Sequence, residues 1–202
     1  MGMSLTRALG ANSIPVWQGT AKDIQLVQGG FLLVAPGQAL KNVVLAGTPC
    51  VFDETARTAT IVGVGTAFAN AGATDVTYPV NKGHIFKVGD YFSTGAIGGK
   101  AYPITAIDST TYTDHDVITV GTSIGAATAG DTFYASTATG ATASALPAIN
   151  GLVYADTVID AGVVDVSVVI RGTAYARRMP YSAAIAAALN ANGAKIIYSQ
   201  SK

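Results

Sequence analysis

Cys50 is the only cysteine in the chain, and His84 and His115 are the only histidines. A thiol becomes a nucleophile when a base or a positive environment holds it as thiolate. Cys50 instead sits between Pro49 and Val51, with no histidine near it in sequence, which is the setting of a buried structural thiol. Asp114-His115-Asp116 places an imidazole between two carboxylates, a set of groups that can hold a metal. Successive strand residues face opposite sides, however, so a turn at this position is the simpler expectation. Glu54 is the only glutamate, and Asp53-Glu54 falls where a hairpin turn is expected, which leaves few candidates for the opposed carboxylates of glycoside hydrolysis. Gly63-Val64-Gly65 begins like a dinucleotide-binding loop but lacks both the third glycine and the following helix. The expectation is therefore no catalytic set, no metal and no cofactor.

Two other side chains stand out for binding. Arg171 ends the most apolar strand, where an ion pair with Asp156, Asp160 or Asp165, within or between subunits, competes with simple solvation. Trp17 is the only tryptophan and closes the apolar run Ile14-Pro15-Val16-Trp17, which suits an anchor in a pocket. Contact with another protein surface and packing on its own domain are both open for Trp17.

Something must position these residues, and composition restricts what it is. Hydrophobic residues make up 50% of the 202-residue chain and charged residues 12%, about half the usual ~25%. Such a chain folds into a compact core. Its weakly charged surface does little to keep copies apart, so an oligomer is expected. Twelve Lys and Arg balance twelve Asp and Glu, with no basic run longer than Arg177-Arg178, which argues against nucleic acid as a partner. No apolar run approaches the ~20 residues of a membrane span, and no secretion signal is read at the N-terminus.

Short β-branched runs bounded by Gly, Asp, Asn or Thr occur at 43–45, 59–62, 84–88, 102–107, 117–120 and 165–170, and predict a mostly-β protein of small barrels or sandwiches. One short helix is predicted over Ala183 to Ala191, capped by Ser182 and stopped by Gly193, with a final strand from Ala194 to Ser199. Residues 1–30 read as an extended arm, and the Ala/Thr/Ser-rich residues 136–148 as a linker. Residues 31–75 with 146–202 then form one domain with the helix, and 76–145 an inserted small β-barrel with its linker.

The order Gly151-Leu152-Val153, then Val168-Val169-Ile170-Arg171-Gly172-Thr173-Ala174, then an Ala-rich helix and a closing strand resembles the C-terminal half of lambda-type phage head-decoration proteins. Ala46-Gly47-Thr48-Pro49 resembles that family's earlier Gly-Thr strand. The stretch Lys82 to Phe92, with its Val88-Gly89-Asp90 turn, resembles the small barrel of head-fibre proteins from phages of gut Bacteroides. The resemblance implies a β-tulip-like decoration domain carrying an inserted barrel. It implies a virion protein on the outside of the phage head, made in the host cytoplasm, a homotrimer that binds the major capsid protein, with other head-fibre proteins as further candidate partners. In that setting the N-terminal arm adds to a capsid-protein sheet, with Ile14, Pro15, Val16, Trp17 and Arg171 as capsid or subunit contacts. The alternative is a receptor- or glycan-binding fibre module, in which Tyr91, Tyr102 and Tyr112 offer ring faces to sugars.

Overall fold

The structure is a computed structural model and describes residues 15–199. In chain order the strands begin with β1 (Trp17–Gln18), β2 (Gln25–Leu26), β3 (Phe31–Val34), β4 (Val43–Val44), β5 (Pro49–Asp53) and β6 (Thr58–Ile61). Next come β7 (Val64–Thr66), β8 (Thr77–Asn81), β9 (Tyr91–Thr94), β10 (Ala101–Asp108), β11 (His115–Val120) and β12 (Thr132–Ser136). The last elements are β13 (Gly151–Val153), β14 (Thr157–Val158), β15 (Asp165–Val166), β16 (Val168–Tyr175), helix α1 (Ala183–Ala191) and β17 (Lys195–Ser199). The protein is mostly β, with α1 the one α-helix among the described residues.

A nine-stranded sheet runs β1-β16-β13-β5-β6-β3-β15, with β2 and β17 also on β16. β16 is long enough to carry two partners on each edge. Arg171 pairs with both Gln25 and Lys195, and Val169 with both Leu26 and Leu152, so β2 and β1 share one edge while β13 and β17 share the other. Residues alternate across β16: Gly172 and Ala174 point inward while Arg171 and Thr173 point out. α1 covers the inner face through Ile185 and Leu189, which join Val16, Leu152, Val169, Ala174 and Ile196 in one core. Ser182 Oγ accepts the Ile185 N–H at 3.2 Å, and Gly193 takes the left-handed conformation that ends the helix.

A six-stranded sheet runs β7-β12-β9-β10-β11-β8. Its two edge strands meet at the bridge Ala67–Val80, and Phe68 N–H donates to Pro79 O at 2.9 Å, so the sheet curls around its own core. Phe92 lies at the centre, with ring centroids 4.6 Å from Phe133, 5.0 Å from Phe86 and 5.7 Å from Tyr78. β12 is shared between cores. Phe133 faces the curled interior, whereas its neighbour Tyr134 belongs to the core under α1.

Four expectations differ from the structure. Residues 17–26, expected in an extended arm, form β1 and β2 on β16, because β16 offers an otherwise unpaired edge and Val16 fills a hole beside Gly47 and Met179. β7 lies before residue 76 yet belongs to the curled sheet, since its ladder partner is β12. Residues 84–88 make no ladder: Ile85 and Phe86 alternate because they enter two different cores, which copies a strand's period without its hydrogen bonds. The expected linker is packed, with Ser144 buried and its Oγ bonded to Gly99 N–H and Ala96 O at 2.8 Å each.

Candidate functional site

The groups that could do chemistry are pulled apart by strand alternation or taken up in the fold. Cys50 is fully buried, and desolvation pushes its thiol up to about 12, so it stays protonated at neutral pH. Asp53 Oδ1 accepts from Thr55 and Ala56 N–H and closes the β5–β6 hairpin beside Glu54. His115 and Asp116 lie in β11 rather than in a turn, so their side chains leave opposite faces. His115 stacks between Tyr112 and Phe68 at centroid distances of 4.3 and 4.5 Å, with Asp114 Oδ1 at 2.7 Å from Nδ1. Asp116 is buried and bonds Lys82 Nζ at 2.6 Å.

Asp116 also approaches His84, which no spacing in the sequence connects to it. His84 Nδ1 accepts the Phe86 N–H at 3.2 Å, which leaves the imidazole proton on Nε2. Nε2 lies 3.1 Å from Asp116 Oδ2 but outside hydrogen-bond geometry. Burial lowers the His84 pKa below its ordinary 6.5 against the opposing pull of Asp116, so the ring is neutral in the fold. As pH falls through 6.5 the unfolded chain takes up this proton first. The His84 contribution is thus full above pH 6.5 and is lost as pH drops toward the lowered folded value, by at most about 1.4 kcal/mol per pH unit. Urea midpoints measured at pH 7 and pH 5.5 should show a smaller drop for His84→Gln than for the wild type; equal drops would mean that another group drives the loss.

Ile14 lies outside the described residues. Pro15 is exposed, and its carbonyl accepts from Arg178 Nη1 at 2.8 Å. Val16 is buried, and Trp17 is half-buried, stacked on Tyr154 with Nε1 donating to Tyr154 O at 2.6 Å. Trp17 is thus anchored on its own chain. The sequence missed Tyr154 as its partner because 137 residues separate them.

No family model matches this chain, and neither a curated protein nor a solved structure does. Its surfaces therefore have to be read from their own geometry.

Arg171 makes no ion pair with Asp156, Asp160 or Asp165. Asp156 accepts from Ala46 N–H at 2.8 Å, Asp160 pairs with Lys41 at 2.8 Å, and Asp165 opposes Leu32 in the ladder between β15 and β3. Arg171 instead stands on the outer face of β16, directly opposite Lys195. The three tyrosines are not brought onto one surface. Tyr102 opposes Phe92 and so shares its inward face, whereas Tyr91, one residue before Phe92, leaves the other face. Tyr112 lies in the β10–β11 connection against His115. The exposed aromatic group that does form is Phe68, His115 and Tyr112. It joins two stretches of chain that sequence spacing does not connect.

Proposed function

We propose that this protein is an auxiliary capsid protein of a phage head, non-enzymatic, trimeric, and bound to the major capsid protein to stabilise the shell or to serve as the base of a head fibre. The observation in its favour is that the segments carrying the resemblance are spatial neighbours. β5, β13, β16 and β17 are contiguous in one sheet, and α1 closes that sheet's inner face. Exposed Leu40, Val43, Leu45, Val158 and Ile197 on a weakly charged chain also favour coverage by other subunits. In this reading the β-tulip-like domain is the nine-stranded part, the inserted barrel is the curled sheet, and the capsid-binding arm is confined to residues 1–14, since 17–26 are committed to β16.

The purified protein should run in solution at about three times its chain mass of 20.4 kDa and pellet with empty phage shells. A version lacking residues 1–14 should remain trimeric and lose most of the pelleting, because the three arms acting together supply most of the avidity. A monomer that stays in the supernatant with shells present overturns the assignment. The Phe68–His115–Tyr112 stack favours a second reading, a glycan-binding fibre module, since Phe68 and Tyr112 are 40% and 45% exposed and each keeps one ring face uncovered by His115. In that case purified cell-surface glycan, and not the shell, retains the protein.

A further inference from the structure

Formal neutrality conceals an uneven distribution of charge. Residues 64–136, which build the curled sheet, carry three Lys and Arg against six Asp and Glu. Three basic residues of the nine-stranded part meet on one surface. Directly opposed residues on paired strands share a face, so the outer side of β16 carries a row Gln25–Arg171–Lys195 and, two residues on, a row Gln18–Thr173–Ile197. Lys22, in the 3-10 turn Ala21–Asp23, lines the same shallow concavity of about 920 Å³.

Two features of this face are unfavourable in the isolated chain. Arg171 and Lys195 are like charges placed side by side across a ladder, and neither they nor Lys22 has an ion-pair partner among the described residues. The one carboxylate in the concavity, Asp23, is held by Thr20, whose N–H and hydroxyl donate to Oδ2 at 2.7 and 2.9 Å. Beside the cations Ile197 is 68% exposed, with Gln18, Gln25 and Thr173 supplying hydrogen-bonding groups around it.

We infer that the outer face of β16 and β17 docks an acidic polypeptide segment that places a carboxylate over Arg171 and Lys195 and an apolar side chain over Ile197. The two rows are two strand residues apart, ~6.8 Å, which is the spacing of residues i and i+2 in an extended chain. Arginine's planar fork matches a carboxylate in two-point contact. A phosphate or sulfate polymer needs an extended basic stripe, whereas here the three cations occupy one corner and an apolar side chain fills the other. This inference rests on the capsid-protein reading above, in that the segment belongs to the shell surface on which the protein sits.

The test has two arms, both on the full chain. In the first, a fluorescein-labelled peptide repeating Glu-Ser-Leu-Ser is titrated by anisotropy against the wild type, the double variant Arg171→Glu with Lys195→Glu, and the single variant Lys22→Glu. The wild type should bind with an affinity that falls with added salt, and the double variant should bind at least about tenfold more weakly, an effect of two reversed charges on one contact. Lys22→Glu should fall between them, and far-UV circular dichroism checks that all three fold alike. Equal binding by wild type and double variant overturns the proposal, as does no peptide binding at all, or tighter binding of heparin or a DNA duplex at this face. In the second arm the same proteins are pelleted with empty shells. Pelleting weakened only in the double variant supports the shell as the source of the segment. Equal pelleting by wild type and double variant overturns the proposal and leaves the capsid assignment standing. If neither pellets, the capsid assignment fails and with it the shell as source, while the peptide arm alone decides the acid-binding face.

Discussion

Phe133→Ala should lower the unfolding free energy by about 3–5 kcal/mol and should move the fluorescence transition of Trp17 by the same amount, although Trp17 lies in the other sheet. The size follows from burial: Phe133 is fully enclosed, tilted against Phe92 at 4.6 Å and edge-on to Tyr78 at 5.8 Å. Its removal leaves a void that neighbours locked in a curled sheet fill poorly. The coupling follows from β12. Phe133 and Tyr134 are consecutive and enter different cores, so β12 is a wall common to both. Thr132 Oγ1 also donates to Tyr181 O, just before α1. Losing the curled sheet therefore exposes Tyr134 and opens the core that holds Trp17. Urea unfolding followed by Trp17 fluorescence and by far-UV circular dichroism should give coincident midpoints in wild type and variant. A fluorescence midpoint that stays in place while the circular dichroism shifts means that the sheets fold independently.

Local chemistry was legible in the sequence wherever one short segment contains all of the cause. Ser182, the Ala-rich run and Gly193 specify α1 without outside help, and the structure has the helix at the expected residues. Val88-Gly89-Asp90 is likewise self-contained: Gly89 takes positive φ, and Asp90 accepts the Lys87 N–H at 3.1 Å and the Lys87 ammonium at 2.7 Å. The runs at 102–107 and 117–120 appear as β10 and β11 because their β-branched residues alternate on a real ladder.

Where a pattern has a distant cause, the sequence misleads. His84 to Val88 alternates like a strand because two cores lie on either side of it, and period alone does not distinguish one sheet face from two cores. The N-terminal residues 17–26 have little periodicity of their own, since their strands are imposed by the free edge of β16 about 150 residues later. The candidate contacts fare in the same way. Arg171 was identifiable as a charge out of place at the end of an apolar strand, but its neighbour Lys195 is fixed by the parallel pairing of β17, which no spacing announces. The aromatic group Phe68, His115 and Tyr112 depends on the edge strands of the curled sheet meeting, and single tyrosines chosen by type fall on different faces.

Gly151→Ala should destabilise the protein by about 1–3 kcal/mol, and Val168→Ala should relieve most of that cost. Gly151 opens β13, and the structure gives a physical reason for glycine there. A β-carbon at this position falls 2.3 Å from Val168 Cγ1 and 3.1 Å from the Phe52 ring, in a fully enclosed part of the sheet where β5, β13 and β16 pack. Gly172, in the neighbouring strand β16, is the built-in control. A β-carbon there meets nothing closer than Ile24 Cγ1 at 3.6 Å, an ordinary contact, and its φ is not in the left-handed region, so Gly172→Ala should change stability by less than about 0.5 kcal/mol. In urea unfolding the Gly151→Ala, Val168→Ala double variant should lie well above the sum of its singles, because removing Cγ1 takes away the atom that the new methyl strikes. Additive losses would place the strain of Gly151→Ala elsewhere, with Phe52 the next contact. A Gly172→Ala loss as large as that of Gly151→Ala would show that backbone freedom, and not the approach of Val168, accounts for the glycines of this sheet.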